Sequence, residues 1–270
     1  MTETVQLDGF TVQPMTFDSC GEPVTRDVYR RGKGPGVVVM HEIPGITPEV
    51  ARFGRIVADA GFTVFMPVMF GTPNRSMSMP YAVSQVLRAC VSREFSVFAA
   101  NGTSPIIGWL RALCAAVHAE IGGRGVGAIG MCLTGNFALA LMVEPSMMAP
   151  VLSQPSLPGG LTKSARRGLH ISNGDLAIAK RRASEGVPLL AMRFTNDRAC
   201  RAERFEKLRE ELGSAAETIE IDSSPGNPHG IPQNAHSVVT THLVNEDGHP
   251  TKAALDRVLS FFGENLRPAP

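Results

Sequence analysis

Apolar runs alternate with amphipathic stretches along most of the chain. Two of these runs, 37–40 and 189–192, are continuous and apolar, which is typical of parallel strands buried on both faces. The strand-like runs cover 12–17, 24–29, 36–41, 62–67, 125–131, 150–153, 187–194 and 217–222. The helical patterns cover 48–60, 82–100, 106–121, 135–143, 176–185, 198–212 and 250–266. This alternation predicts an α/β fold with a doubly wound, mainly parallel sheet of about eight strands, and it places reactive groups in loops beyond the carboxyl ends of the strands.

The two N-terminal strand-like runs differ from the rest, because only the short turn 19–23 joins them. That turn predicts an antiparallel hairpin at the entry to the sheet. The Pro- and Gly-rich stretch 223–232 is typical of an irregular loop inside a domain. Since the pattern contains no linker and no internal repeat, we expect residues 1–270 to form a single domain.

Composition and charge narrow the classes of partner. The net charge is +1, so neither a nucleic acid nor an anionic membrane is expected as a partner. The longest mostly apolar stretch, 128–143, is too short to span a bilayer, and the N-terminus lacks the pattern of a secretory signal. Five scattered cysteines form no metal-binding pair. These features predict a cytoplasmic protein with free thiols.

One cysteine has an unusual sequence context. Cys132 lies in Gly130-Met131-Cys132-Leu133-Thr134-Gly135, between an apolar strand and a predicted helix. Glycines on both sides favour a sharp turn that lifts one side chain above the sheet, at a helix N-terminus where a thiolate is stabilised. The other four cysteines lack this context and are expected to be small buried side chains. Cys132 is therefore the candidate nucleophile.

The same glycines match a dinucleotide-binding pattern, Gly125-x-Gly127-x-x-Gly130. That pattern carries its chemistry only where it follows a strand and opens a helix. Here the glycines lie within the predicted strand itself, so the sequence argues against a dinucleotide site.

A thiol that attacks a carbonyl needs a base and a group that orients this base. In hydrolases with this alternation of elements, the chain order is nucleophile, acid, histidine. Asp197 directly follows the strand that ends at residue 194, and Asp175, which precedes that strand, is the alternative acid. Four histidines follow the last predicted strand and leave the base open: His229, His236, His242 and His249.

Several segments resemble the dienelactone hydrolase family of α/β-hydrolases, in the order in which that family has them. Residues 130–135 resemble its nucleophile turn G-x-C-x-G-G, with Thr134 in place of one glycine. His41-Glu42-Ile43-Pro44-Gly45 resembles its Q-E-I-F-G-like segment, and Ala235-His236-Ser237-Val238 resembles its G-H-S-F segment. Arg93-Glu94-Phe95 and the Ala-rich helix 253–262 resemble two further segments. The resemblance covers most of the chain and implies an α/β-hydrolase fold.

The resemblance also implies roles for the catalytic groups. It implies Cys132 as nucleophile, His236 as base, Asp197 as the acid that orients this base, and Glu42 as a second carboxylate beside the thiol. In that family the glutamate would change partners as the substrate binds and so help to form the thiolate. The chemistry implied is hydrolysis through a thioester, without a metal or organic cofactor.

Substrate contacts follow from the same resemblance. The backbone N–H groups of Ile43 and Leu133 would form the oxyanion hole, and the Leu133 donor also follows from the turn itself. Arg93 would recognise a substrate carboxylate, and Ser237 would contribute to substrate binding. The expected partner is a small ester or lactone that can carry an anionic group. Oligomeric state does not follow from the sequence, and a monomer is compatible with it.

Competing interpretations remain for individual residues. His249, in Gly248-His249-Pro250 before the last predicted helix, is a rival base. Asp197 could instead cap the predicted helix 198–212. Glu42 and Arg93 could form an ordinary ion pair.

Two other functions are open. A thioesterase or acyl transferase could use the same triad, and a relative without catalytic activity could bind a small ligand. In the second case no histidine would lie within hydrogen-bond distance of Cys132.

Overall fold

One eight-stranded sheet organises the chain. In the computed structural model, which describes residues 5–19, 21–91, 104–156 and 166–268, the strand order is β1-β2-β4-β3-β5-β6-β7-β8. β1 pairs with β2 and β2 with β4 in antiparallel fashion, and every other neighbouring pair is parallel. The strands are β1 (Thr11–Ser19), β2 (Glu22–Gly32), β3 (Gly36–Met40), β4 (Thr63–Pro67), β5 (Val126–Met131), β6 (Met147–Ser153), β7 (Leu189–Phe194) and β8 (Ala216–Ile221). The predicted mainly parallel sheet and its N-terminal hairpin are confirmed.

Helices cover both faces of this sheet. Their starts follow ordinary capping chemistry: the Thr47 side chain accepts a hydrogen bond from the backbone of Val50, and a proline occupies the first turn of four of the helices. The helices are α1 (Pro48–Asp59), α2 (Met79–Val91), α3 (Pro105–Ile121), α4 (Gly135–Ala140), α5 (Asn173–Ser184), α6 (Ala202–Leu212) and α7 (Pro250–Leu266).

The alternation of side chains along β3 explains why helices pack on both faces of the sheet. Val37 and Val39 pack into one core with buried residues of α1 and α7, whereas Val38 and Met40 pack into a second core with residues of α3. Successive residues of a strand point to opposite faces. A continuous apolar strand therefore requires a helical layer on each side, as a doubly wound sheet supplies.

Four predicted helices differ from the observed ones, and one of them, predicted over 176–185, is observed as α5, which begins earlier, at Asn173. The helix predicted over 82–100 is observed as α2, Met79–Val91, and the rest of that range lies outside the described residues. The stretch 135–143 begins as the short α4 and ends in a 3₁₀ turn, and a second 3₁₀ turn, Cys132–Thr134, precedes it. α6 begins at Ala202 rather than at residue 198, because the loop that follows β7 continues to Arg201.

Candidate active site

Cys132 lies at the end of β5 in a backbone conformation that few side chains adopt. Its φ angle is 56°, in the left-handed region, and its side chain is partly exposed. A methyl group on Gly130 would lie 2.0 Å from the backbone oxygen of Thr134, and one on Gly135 would lie 2.8 Å from the Cα atom of Pro155. The turn therefore closes only with glycine at both positions, as the sequence pattern suggested.

His236 joins Cys132 to a carboxylate. Its Nδ1 lies 2.6 Å from Oδ2 of the buried Asp197, and its ring also interacts with the Cys132 side chain. The other carboxylate oxygen of Asp197 accepts a hydrogen bond from the backbone N–H of Ala199 at 2.8 Å. The structure thus brings together the three side chains that the sequence singled out as nucleophile, base and acid.

The electrostatic environment of His236 favours its protonated form when the sulfur is charged. Burial alone would lower the pKa of His236, but the Cys132 sulfur and the Asp197 carboxylate together raise this pKa well above its ordinary value. An imidazolium held between two anionic groups is the partner that a thiolate needs.

The rival candidates have other partners. His249 precedes α7 and accepts a hydrogen bond from the backbone N–H of Thr251, and its ring packs against His229 with centroids 5.4 Å apart. Asp175, in the first turn of α5, forms a salt bridge of 2.9 Å with Arg111. Neither of these residues takes part in the contacts of Cys132 described above.

Glu42, two residues after the end of β3, has a buried carboxylate that binds the loop carrying His236. Its Oε2 accepts hydrogen bonds from Oγ of Ser237 at 2.6 Å and from Nε2 of Gln154 at 3.2 Å, and its Oε1 accepts one from the Thr240 hydroxyl. The family resemblance assigned Ser237 to substrate binding, but in the structure its hydroxyl donates a hydrogen bond to Glu42. Arg93, the expected partner of a substrate carboxylate, lies outside the described residues.

His242 and Gln154 hold the same loop from other sides. Nδ1 of His242 accepts hydrogen bonds from the backbone N–H groups of His236 and Ser237, at 3.4 and 3.2 Å. Oε1 of Gln154 accepts one from the backbone of Val238 at 3.3 Å. The base is therefore held by backbone contacts as well as by Asp197.

Thr134 links the nucleophile turn to the end of β3. Its buried hydroxyl lies 3.0 and 3.2 Å from the carbonyl oxygens of Met40 and His41, and it accepts a hydrogen bond from the backbone N–H of Met131 at 2.9 Å. These contacts hold the segment that leads to Ile43 beside the turn that leads to Leu133. The residue that departs from the family's glycine thus has a structural role of its own.

Ser156 is a neighbour of the sulfur that sequence reasoning did not single out. Its hydroxyl donates a hydrogen bond to Sγ of Cys132 at 3.2 Å. The available signal was the stretch Ser153-Gln154-Pro155-Ser156, which ends and follows the buried β6, since polar residues at that end of a parallel strand face the site.

Two further features of the described residues concern metal binding and membrane spans. Among the described residues, no group of three or more histidine, cysteine, aspartate or glutamate side chains is arranged to hold a metal ion. Within the same part of the chain, no helix has the length and apolar character needed to cross a membrane.

The fold and this arrangement of side chains define the class of the protein. A mainly parallel eight-stranded sheet, with a strained strand-to-helix turn at Cys132 next to a histidine side chain, is the architecture of an α/β-hydrolase. A sequence profile of the dienelactone hydrolase family matches residues 25–266. The chain belongs to the dienelactone hydrolase family.

Individual relatives agree with this assignment. A protein of Saccharomyces cerevisiae (strain ATCC 204508 / S288c) named as a carboxymethylenebutenolidase is 26% identical over 121 residues, which cover 43% of this chain and 41% of that protein. The match thus spans about two fifths of the relative's length.

Solved structures show the same fold at low sequence identity. A dienelactone hydrolase from Klebsiella pneumoniae subsp. pneumoniae MGH 78578 has a TM-score of 0.62 and 17% identity, over 95% of this chain and all of that one. A dienelactone hydrolase-like promiscuous phosphotriesterase from metagenomic libraries has a TM-score of 0.61 and 18% identity, over 96% of this chain and all of that one.

Proposed function

We propose that this protein hydrolyses carboxylic esters or lactones through a covalent thioester on Cys132. The observation that carries the proposal is the position of His236, whose ring contacts the Cys132 side chain on one side and the Asp197 carboxylate on the other. A nucleophile, a base and an orienting acid in this relation are what acyl transfer requires.

In the first half of the reaction, His236 accepts the proton of the Cys132 thiol, and the sulfur attacks the carbonyl carbon of the substrate. The C–S bond forms as the carbonyl oxygen becomes an oxyanion, for which the backbone N–H groups of Leu133 and Ile43 are the proposed donors. Collapse of this intermediate breaks the C–O bond of the ester. The imidazolium then gives its proton to the departing alkoxide.

In the second half, His236 takes a proton from a water molecule that attacks the thioester. The C–S bond breaks with its electron pair on the sulfur, the carboxylic acid is released, and the His236 imidazolium returns its proton to the sulfur to restore the thiol. Asp197 keeps the Nδ1 proton of His236 in place throughout, so that Nε2 faces the reacting atoms.

Glu42 has a positioning role in this proposal. Its carboxylate receives hydrogen bonds from Ser237 and Thr240, which follow His236 in sequence, and from Gln154. These three donors favour a carboxylate that stays anchored to the loop of His236 while the reaction proceeds. The substrate is a small ester or lactone, and recognition of an anionic group by Arg93 remains part of the proposal.

Replacement of the nucleophile tests the proposed function. Cys132→Ala should lose at least about a thousandfold in kcat/KM toward p-nitrophenyl acetate and small lactones, because the thiol that forms the acyl-enzyme is missing. Cys114→Ala is the matched control, since Cys114 is a free cysteine buried in the core. Turnover retained by a folded Cys132→Ala variant would overturn the proposal.

A further inference from the structure

We propose that Ser156 is a further catalytic residue, whose hydroxyl holds the Cys132 sulfur and stabilises the charge that returns to this sulfur when the thioester breaks. The proposal rests on the function proposed above and adds a group that neither the family resemblance nor the triad includes. Its basis is the 3.2 Å hydrogen bond from Oγ of Ser156 to Sγ of Cys132.

The Ser156 hydroxyl has a fixed position. The backbone N–H of Ser156 donates a hydrogen bond to the carbonyl oxygen of Cys132 at 3.0 Å, and its own carbonyl oxygen accepts one from Nδ2 of Asn136 at 3.1 Å. Only 3% of Ser156 is exposed. A buried donor held on both sides by its backbone needs little reorganisation when charge develops beside it.

A buried cation, the guanidinium of Arg204, also fixes the loop that carries Ser156. The guanidinium of Arg204, on α6, donates hydrogen bonds to the carbonyl oxygens of Pro155 and Gly168 and contacts Nε2 of His170 at 3.2 Å. Pro155 directly precedes Ser156, and Arg204 is almost fully buried. The polypeptide that carries Ser156 is therefore fixed to the helix layer as well as to the nucleophile turn.

Two donors thus converge on one sulfur. His236 exchanges a proton with Cys132, whereas the hydroxyl of Ser156 donates a hydrogen bond and keeps its proton in every step. A hydrogen bond to an anionic acceptor is roughly twice as strong as one to a neutral acceptor. Glu42 is not needed for this contact, because its hydrogen bonds go to Ser237, Thr240 and Gln154.

The two halves of the reaction should respond differently to loss of this hydroxyl. During thioester hydrolysis the C–S bond breaks and its electron pair returns to the sulfur, so a donor at the sulfur stabilises the transition state. During acylation the charge moves from the sulfur to the carbonyl oxygen, so the same donor gains nothing as the C–S bond forms. The proposal therefore assigns the larger effect to hydrolysis of the acyl-enzyme.

The test measures thioester breakdown directly. The full chain is acylated with p-nitrophenyl acetate, rapidly separated from the reagent, and the loss of the acetyl group from Cys132 is followed by mass spectrometry. Ser156→Ala should lose the group about tenfold more slowly than the wild type, because one charge-assisted hydrogen bond is missing. Ser146→Ala is the matched control, since this buried serine lies before β6 and donates its hydroxyl to Glu144.

A second pair of variants separates the hydroxyl from the shape of the side chain. Thr and Val are nearly isosteric and differ in the hydroxyl, so Ser156→Thr should release the acetyl group about tenfold faster than Ser156→Val. This pair decides the question if Ser156→Ala fails to fold.

Two results would overturn the assignment of Ser156. One is a folded Ser156→Ala variant that loses the acetyl group at the wild-type rate, and the other is equal rates for the Thr and Val variants. Failure of the underlying function has a different signature. In that case the wild type carries no acetyl group on Cys132 and Cys132→Ala still turns over the ester, which removes the basis for Ser156 as well.

Discussion

The side chain of Cys132 reaches its position through a backbone conformation with φ at 56°. For a residue other than glycine, such a conformation costs on the order of 1–3 kcal/mol and persists only where the surroundings enforce it. Here the carbonyl oxygen of Cys132 accepts hydrogen bonds from the backbone N–H groups of Gly135 and Ser156. Residues next to Cys132 thus maintain the strained conformation, as expected for a turn that presents the proposed nucleophile.

Asp197 gives a sharp prediction at the residue scale. Asp197→Asn should lower kcat/KM for an ester by on the order of a hundredfold or more, because an amide no longer fixes the Nδ1 proton of His236 or raises the pKa of that histidine. The pH profile of kcat/KM should shift at the same time, and steady-state kinetics across pH measures both effects.

A carboxylate elsewhere in the fold serves as the control for Asp197. Asp175 is also mostly buried and pairs with Arg111 at 2.9 Å, so Asp175→Asn should affect the free energy of unfolding rather than the pH profile. Equal losses of activity in the two variants would contradict a specific role for Asp197.

At the scale of elements, the turn after β5 was predictable and the start of α6 was not. Gly130 and Gly135 are visible in the sequence, and both are required by close contacts in the turn. The pattern alone extended the later helix to residue 198. The Asp197 carboxylate instead accepts a hydrogen bond from the backbone of Ala199, which favours a local turn before the helix begins.

Contacts between distant segments set the limit on prediction of the site. The hydrogen bonds of Glu42 join it to Gln154, 112 residues away, and to Ser237, 195 residues away. Strand and helix periodicity carries no information on such pairs. The family resemblance pointed to Glu42, but its contacts with the loop of His236 and the contact of Ser156 with Cys132 became visible only from the arrangement of the loops.

The requirement for glycine at position 130, in the turn after β5, can be tested by substitution. Gly130→Ala should lower the free energy of unfolding by roughly 2 kcal/mol or more, since the added methyl would lie 2.0 Å from the Thr134 backbone oxygen. Gly108→Ala is the control, because nothing lies within 4 Å of its methyl position near the start of α3. There alanine should stabilise by up to about 1 kcal/mol.

Urea denaturation of both glycine variants measures the difference. A Gly130→Ala variant as stable and as active as the wild type would contradict the tight turn around Cys132.

For the whole molecule, the parallel sheet explains why distant residues meet. Glu42, Cys132, Ser156 and Asp197 follow β3, β5, β6 and β7, and the carboxyl ends of these parallel strands share one edge of the sheet. This rule made the location of the site predictable. The choice between His236 and His249 was beyond periodicity, because both follow β8 in one irregular connection to α7.

One buried and one partly buried histidine predict how the stability of the whole fold depends on pH. Burial lowers the pKa of His41 to about 4, and burial and the nearby Arg204 lower that of His170 to about 4. Because the unfolded chain binds these protons first, the free energy of unfolding should fall as the pH decreases from 6.5 to about 4. Each histidine accounts for about 3 kcal/mol of this loss.

His170→Asn isolates one of these contributions. Asparagine tolerates the left-handed backbone of this position, where φ is 51°, and it does not titrate in this range. Urea denaturation at several pH values should give a shallower loss of stability for the variant than for the wild type. Parallel curves for the two proteins would contradict the lowered pKa of His170.

The most direct test of the account is to identify the atom that carries the acyl group. The wild-type protein, quenched in acid during turnover of p-nitrophenyl acetate, should contain one acetyl group on the peptide that includes Cys132, in hydroxylamine-sensitive thioester linkage. The His236→Gln variant should acquire this group far more slowly, because its thiol has lost the base. Turnover by the wild type with no acyl group on Cys132 at any quench time, even when deacylation is slowed, would contradict the account.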